Sequence, residues 1–229
     1  SDVLIQKLMG IKGMYSLWQS VHTTKKTTEV FGKKVVLLAG EKYLPLQLED
    51  IQLQISPRSF FQLNTKQAIQ LYRNIAAMIP AKCNLLVEAY SGIGGISMYL
   101  KDKAKEIIGI ESIKDAVVNA NQNAKKNGCE HVSFLCADAA DKLIYLSKKR
   151  NIDVLVVDPP RSGLDDAMLD CILRSKIKNI VYVSCNPATL GKNLAVLQNR
   201  YRVERIQPID MFPNTSHIET CVLLQRRTM

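Results

Sequence analysis

The chain lacks any apolar run approaching the ~18–20 residues that a bilayer-spanning helix needs, so no membrane segment is expected. Its start, Ser1-Asp2-Val3-Leu4, has neither the basic stretch nor the apolar core of a signal peptide, and a cytoplasmic protein is the default expectation. No two cysteines form a Cys-x-x-Cys pair. The six (Cys83, Cys129, Cys136, Cys171, Cys185 and Cys221) are scattered, which argues against zinc or iron–sulfur ligation and leaves no metal site to assign. With no secretory signal, an even cysteine count in a domain this large reads as free thiols. Internal repeats and low-complexity tracts are missing as well. Acidic residues are in short supply: 21 Asp and Glu face 31 Lys and Arg, a net charge of +10. Such an excess favours a polyanionic partner through phosphate attraction and counterion release, although lysines that only solvate helix ends give the same count.

What is present is enough for one full α/β domain with a real core and a fragment of another, at 229 residues and 47% apolar content. Residues 1–50 form no closed set of elements. Val3 to Trp18 alternates weakly and Thr23 to Thr28 is polar, while Val35 to Leu38 reads as one strand. This stretch is expected to be the tail of a preceding domain. From residue 51 the pattern is regular. Thr65 caps a helix with apolar positions at Ala68, Ile69, Tyr72, Ile75, Ala76 and Ile79, stopped at Pro80. Strands follow at Leu85–Ala89, Ile107–Ile110, Val132–Cys136, Val154–Val157, Ile180–Val183, Tyr201–Pro208 and Thr220–Gln225. Helices over about 96–100, 114–127, 139–148, 165–174 and 189–199 separate the first six. Strands alternating with helices predict a doubly wound, mostly parallel seven-stranded sheet over residues 51–229.

The stretch Ser184-Cys185-Asn186-Pro187 follows the apolar run Ile180-Val181-Tyr182-Val183, so Cys185 arrives at the carboxyl end of a buried strand. Open α/β sheets build their active sites there. Thirty-four residues later Glu219, in His217-Ile218-Glu219, stands just before the last strand. One thiol and one carboxylate suggest a nucleophile working with a base. After the first strand comes Tyr90-Ser91-Gly92-Ile93-Gly94-Gly95, where Gly92 and Gly95 let the backbone pass close to a ligand. Glu111, nineteen residues beyond Gly92, ends the next strand and can accept both ribose hydroxyls of an adenosyl group. The spacing of Gly-x-Gly-x-x-Gly is not met, because Ser97 holds the last position, and this weakens a dinucleotide. Asp138 is either an acceptor for an adenine amino group or a helix N-cap. Asp158-Pro159-Pro160-Arg161 ends the fourth strand and can present polar groups to a flat ring or a sulfonium centre.

Four segments in this order carry a resemblance: Ser56-Pro57-Arg58-Ser59-Phe60-Phe61-Gln62-Leu63-Asn64, Asp158-Pro159-Pro160-Arg161, Val183 to Leu190, and Asp210 to Glu219. Over about residues 11–229 the chain resembles the RNA uracil-5-methyltransferases that act on rRNA or tRNA, especially the rRNA enzymes of Gram-positive bacteria. The resemblance implies a class I methyltransferase fold and S-adenosyl-L-methionine as cofactor. It implies that Gln62, Tyr90, Glu111 and Asp158 contact the cofactor, that Cys185 is the nucleophile and that Glu219 removes the C5 proton. It further implies an RNA substrate, 23S rRNA ahead of tRNA, and a monomer is expected. Ser91 departs from a usual cysteine, and Gly95 from a frequent asparagine or threonine. Relatives usually carry an N-terminal RNA-binding β-barrel and many an iron–sulfur cluster, neither of which has a counterpart in these residues.

Uracil C5 is a poor nucleophile until a thiolate adds to C6, and the methylated adduct then needs a base to remove the C5 hydrogen. The target lies in folded RNA, so a splayed or flipped nucleotide is expected, with Phe212 either stacking on it or packing in the core. A cytosine-5 RNA methyltransferase shares this thiol addition but carries a Pro-Cys pair where Pro159-Pro160 stands here. An amino-group methyltransferase would leave Cys185 and Glu219 without roles. A non-catalytic RNA-binding module would not need them either.

Overall fold

A computed structural model describes residues 1–22, 31–32 and 34–227. The expectation of a polar stretch at Thr23 to Thr28 lies outside the described residues. The elements preceding the main sheet are α1 (Asp2–Met9), β1 (Ser16–Val21), β2 (Lys34–Gly40), β3 (Leu44–Leu48) and β4 (Ile51–Ile55). Both strand pairs, β1–β2 and β3–β4, are antiparallel. The boundary expected at residue 50 falls in the turn of the second pair. Leu48, Ile51 and Leu53 on its two sides are at most 1% exposed and join the same core as Leu71, Ile75 and Val117. A strand this short needs partners for its free backbone groups. Asn123 and Asn127 of α4 (Lys114–Lys126) and its C-cap supply them: Gln54 N–H donates to Asn123 Oδ1 at 2.8 Å and Gln52 N–H to Asn127 Oδ1 at 2.9 Å.

The main sheet contains β5 (Cys83–Ala89), β6 (Ala104–Glu111), β7 (Val132–Cys136), β8 (Val154–Val157), β9 (Asn179–Ser184), β10 (Tyr201–Ile209) and β11 (Glu219–Arg226). Their spatial order is β10-β11-β9-β8-β5-β6-β7. The five strands β5 to β9 are parallel, and β11 runs antiparallel to both β9 and β10. This is the doubly wound, mostly parallel seven-stranded sheet that the alternation of strands and helices predicts. Residues alternate between two cores: Leu86, Val154, Val156, Val181 and Val183 face one, and Leu85, Val87, Leu155, Val157 and Tyr182 the other. The connecting helices besides α4 are α2 (Thr65–Met78), α3 (Gly95–Tyr99), α5 (Ala139–Lys149), α6 (Asp166–Arg174) and α7 (Pro187–Leu197).

Two helix starts differ from expectation for the same reason. Asn64, rather than Thr65, caps α2 by accepting from Gln67 N–H at 3.3 Å. Helix α7 begins at Pro187 rather than near 189, because Asn186 caps it through Ala188 N–H at 3.1 Å and proline at N1 lacks a donor that the helix would not use. The proline that ends β9 also starts α7. Among the described residues no helix is long and apolar enough to cross a membrane.

Candidate active site

Strand order reverses between β5, which continues to β6, and β8, which lies on its other side; at such a switch point the loops diverge and leave a crevice at the carboxyl ends. Here that crevice is lined by Phe60, Gln62, Tyr72, Glu88, Tyr90, Gly92, Gly95 and Asp158, among others. The loop after β5 turns sharply. Tyr90 adopts φ +64°, a left-handed conformation that costs a non-glycine residue about 1–2 kcal/mol, and Gly92 and Gly94 follow at φ +53° and +83°. Glu111 holds this turn: Gly92 N–H donates to its Oε2 at 3.0 Å, and Ile113 N–H to its Oε1 at 2.9 Å.

The glycines do different jobs. A Cβ at Gly92 would meet nothing within 4 Å, so its open side is free for a ligand. At Gly94 it would lie 2.4 Å from the Phe134 ring, and at Gly95 2.8 Å from the Tyr72 hydroxyl. Gly95 therefore lines the crevice but is required by packing. Asp138 is the N-cap of α5, accepting from Asp141 N–H at 3.0 Å. The N-cap alternative is the geometry found.

Sequence reasoning missed Glu88 and Tyr72. Glu88 is 1% exposed and accepts from both Ser97 N–H, at 2.9 Å, and Ser97 Oγ. Burial pushes its carboxyl up to about 8 despite those bonds, with Asp158 adding to the rise. The signal was in the sequence: a carboxylate inside Leu85-Leu86-Val87-Glu88-Ala89 has no place in a buried strand without a special reason.

Cys185 and Glu219 are brought together by the β9–β11 ladder. Thr220 pairs with Ser184 and Cys221 with Val183, so one step further in the same antiparallel register Glu219 stands opposite Cys185. Asp158 follows directly on β8, the neighbour of β9. Glu219 is 8% exposed and its Oε2 has no hydrogen-bond partner among the described residues. Burial raises Glu219 to about 7, opposed by Arg161. Asp158 also rises to about 7, through burial and then the charge of Glu219. Burial lifts the Cys185 thiol too, Glu219 and Asp158 add to that, and Arg161 works against it.

Arg161 also contacts His217, with Nη2 2.7 Å from Nδ1. A guanidinium only donates, so Nδ1 accepts and the ring proton is on Nε2. The Arg161 carbonyl accepts from Asn186 Nδ2 at 3.1 Å and Thr189 Oγ1 at 3.2 Å, which ties the Asp158-Pro-Pro loop to the residues after Cys185. Phe212 is half-buried against the core, and Asn64 Nδ2 donates to Met211 O at 3.0 Å beside it. Among the described residues no group of three or more His, Cys, Asp or Glu is placed to hold a metal ion.

Sheet order and crevice together define a class I methyltransferase fold. M. capricolum TrmK, solved in complex with S-adenosyl-homocysteine, shares that fold with a TM-score of 0.54 at 13% identity, over 69% of this chain and 68% of its own. The family model described as tRNA (Uracil-5-)-methyltransferase matches residues 21–227, and the chain belongs to that family. An uncharacterised RNA methyltransferase of Listeria innocua is 39% identical over 93% of this chain and 47% of its own length. Another, from Halalkalibacterium halodurans, is 40% identical over 97% of this chain and 49% of its own. The Pyrococcus abyssi tRNA (uracil-54, C5)-methyltransferase, solved with S-adenosyl-L-homocysteine, superposes with a TM-score of 0.75 at 30% identity, over 91% of this chain and 50% of its own. The chain thus spans about half the length of the curated relatives it matches.

Proposed function

We propose that this chain carries the catalytic machinery for methylating C5 of a uridine in RNA, with 23S rRNA as the substrate and S-adenosyl-L-methionine as the donor. The observation that carries the reading is the β9–β11 register, which sets a thiol and a buried, partly unpaired carboxylate opposite each other beside the crevice. On this reading residues 51–229 are the methyltransferase domain and residues 1–50 end an RNA-contacting region before it.

The crevice suits the donor's chemistry. Glu88 and Asp158 line it with carboxyls whose ionised forms a cationic centre would favour, and Gly92 leaves backbone open to an adenosyl group. Gln62, Tyr90, Glu111 and Asp158 would hold the cofactor, with Glu111 facing the ribose. When bound, the cofactor supplies an electrophilic methyl group. Cys185 Sγ adds to C6 of the uracil, which shifts the electron pair of the C5–C6 bond toward C5 and the C4 carbonyl. Once C5 has gained its methyl group, Glu219 takes the C5 proton. The electron pair of that C–H bond re-forms C5–C6 and expels the thiolate. A carboxyl near 7 is matched to that task, because about half of it is ionised at neutral pH and it is still basic enough to accept a carbon-bound proton. Arg161 supports the thiolate by opposing the two carboxylates.

RNA carrying 5-fluorouridine at the target tests the mechanism. Fluorine does not leave as a proton does, so with S-adenosylmethionine the adduct on Cys185 should accumulate and survive denaturing electrophoresis. A Cys185→Ala variant should give none. If the unaltered chain gives no adduct on authentic RNA, the covalent mechanism is wrong. Mass mapping of 5-methyluridine in rRNA and tRNA from cells lacking the protein decides the substrate; loss confined to tRNA would overturn the rRNA assignment.

A further inference from the structure

A second cleft, with a volume of about 290 Å³, lies between the β1–β2 pair and the first turns of α4. Trp18, Val35, Lys42, Tyr43, Arg58 and Asp115 are among the residues that line it. Trp18 is the only tryptophan in the chain and is half-buried here, its indole N–H donating to Ser16 Oγ at 3.0 Å. That bond fixes the ring's orientation. Lys42 Nζ sits 5.1 Å from the centre of the Tyr43 ring, which holds an ammonium at the cleft. Arg58 Nη2 donates to Gly32 O at 2.6 Å and so links the loop after β4 to the β1–β2 pair. Asp115 is exposed in the first turn of α4 and contributes an acceptor.

We propose that this cleft binds one unpaired nucleotide of the RNA, with its base stacked on Trp18 and its phosphate drawn to Lys42 and Arg58. The inference rests on the reading of the chain as an RNA-modifying enzyme and adds a contact away from the reacting base. A fixed aromatic ring flanked by cations is the combination that binds single strands, since every base offers a face to stack and every nucleotide a charge to neutralise. Asp115 repels a phosphate and accepts from a base N–H, which leaves the phosphate to the basic residues. The cleft also adjoins the crevice. Arg58 lines the first and Phe60 the second, two residues apart and so within about 7 Å of chain. Asp115 and Val118 begin a helix that leaves the carboxyl end of β6, the same edge of the sheet at which Cys185 stands. A strand whose target base sits at Cys185 can therefore place another of its nucleotides in this cleft.

Because Trp18 is the single tryptophan, its fluorescence reports the cleft directly. Titration of the full chain with a short single-stranded oligoribonucleotide of mixed sequence should quench Trp18 emission saturably. Trp18→Ala should weaken RNA binding about 5- to 150-fold, the range expected for one lost stacking contact. Lys42→Gln should reduce the slope of log affinity against log salt by about one. Calorimetric affinity for S-adenosylhomocysteine should stay unchanged in both variants, which shows that they fold. Unquenched emission on RNA binding, or full RNA affinity in Trp18→Ala, overturns the proposal, as does equal quenching by a peptide that carries neither base nor phosphate. The 5-fluorouridine adduct, followed in the same protein, separates that outcome from a failure of the catalytic reading.

Discussion

Glu219 combines two properties that rarely coincide in a carboxylate: it is almost fully buried, and one of its oxygens has no partner among the described residues. Each favours the neutral acid, because a carboxylate removed from water loses solvation that only donors could replace. Arg161 offsets part of this, which leaves the group near 7. As the proposed base it must be ionised, so kcat/KM should rise as pH climbs through about 7, roughly tenfold for each pH unit on the acid side. A rate flat between pH 5.5 and 8 would exclude Glu219 as the base. Glu219→Gln cannot accept a proton. It should lower kcat by about 10²–10⁴-fold and accumulate the Cys185 adduct on ordinary RNA, read by denaturing gel. Fast turnover by that variant would contradict the assignment. The His217 side chain meets the Arg161 guanidinium rather than Glu219 or Cys185 in the hydrogen bond at its Nδ1.

At the scale of elements, the loop between β5 and α3 gathers three carboxyls with different neighbours. Glu111 spends its oxygens on backbone N–H groups, Glu88 on Ser97, and Asp158 lies in the crevice with a raised pKa. A cation entering this crevice favours the ionised forms of Glu88 and Asp158. S-adenosylmethionine should therefore release protons as it binds near pH 7. Calorimetry in buffers of different ionisation enthalpy measures this as a buffer-dependent heat, and the neutral adenosine fragment should show little of it. Equal heats for the full cofactor in all buffers would mean that neither carboxyl changes its protonation. The same loop explains why glycine spacing is an ambiguous signal. Gly94 and Gly95 make room for Phe134 and Tyr72, and only Gly92 keeps open space beside it.

For the whole molecule, Glu88, Asp158 and Glu219 share one consequence. Each has a folded-state pKa of about 7–8, against ordinary values of 4.5, 3.8 and 4.5. Between those limits the folded protein binds more protons than the unfolded chain, so its stability falls as pH rises. The stabilising contribution is complete below about pH 4 and is lost as pH passes through 7–8. Thermal melts of the ligand-free chain should give a Tm several degrees lower at pH 8 than at pH 5.5. Glu88→Gln keeps an acceptor for Ser97 and should flatten that slope. An unchanged slope would show that Glu88 is not a source of the loss. The +10 charge acts at this scale too, since it favours a polyanionic partner without selecting among bases.

The sequence by itself determined the architecture, because alternation between β-branched runs and helical periodicity leaves few packings other than a doubly wound sheet. It also marked Cys185, Glu219, Glu111 and Asp158 as strand-end residues, since each follows or precedes an apolar run bounded by Asn-Pro, Pro-Pro or a loop. Tertiary structure decided what those ends face. Glu219 stands opposite Cys185 only because β11 inserts antiparallel between β9 and β10, a choice of strand order and register that no local pattern encodes. Glu88, Tyr72 and the Trp18 cleft were likewise decided in three dimensions. Local pattern marks Glu88 and Tyr72 as buried, but their chemistry comes from neighbours distant in the chain, about which periodicity carries no information.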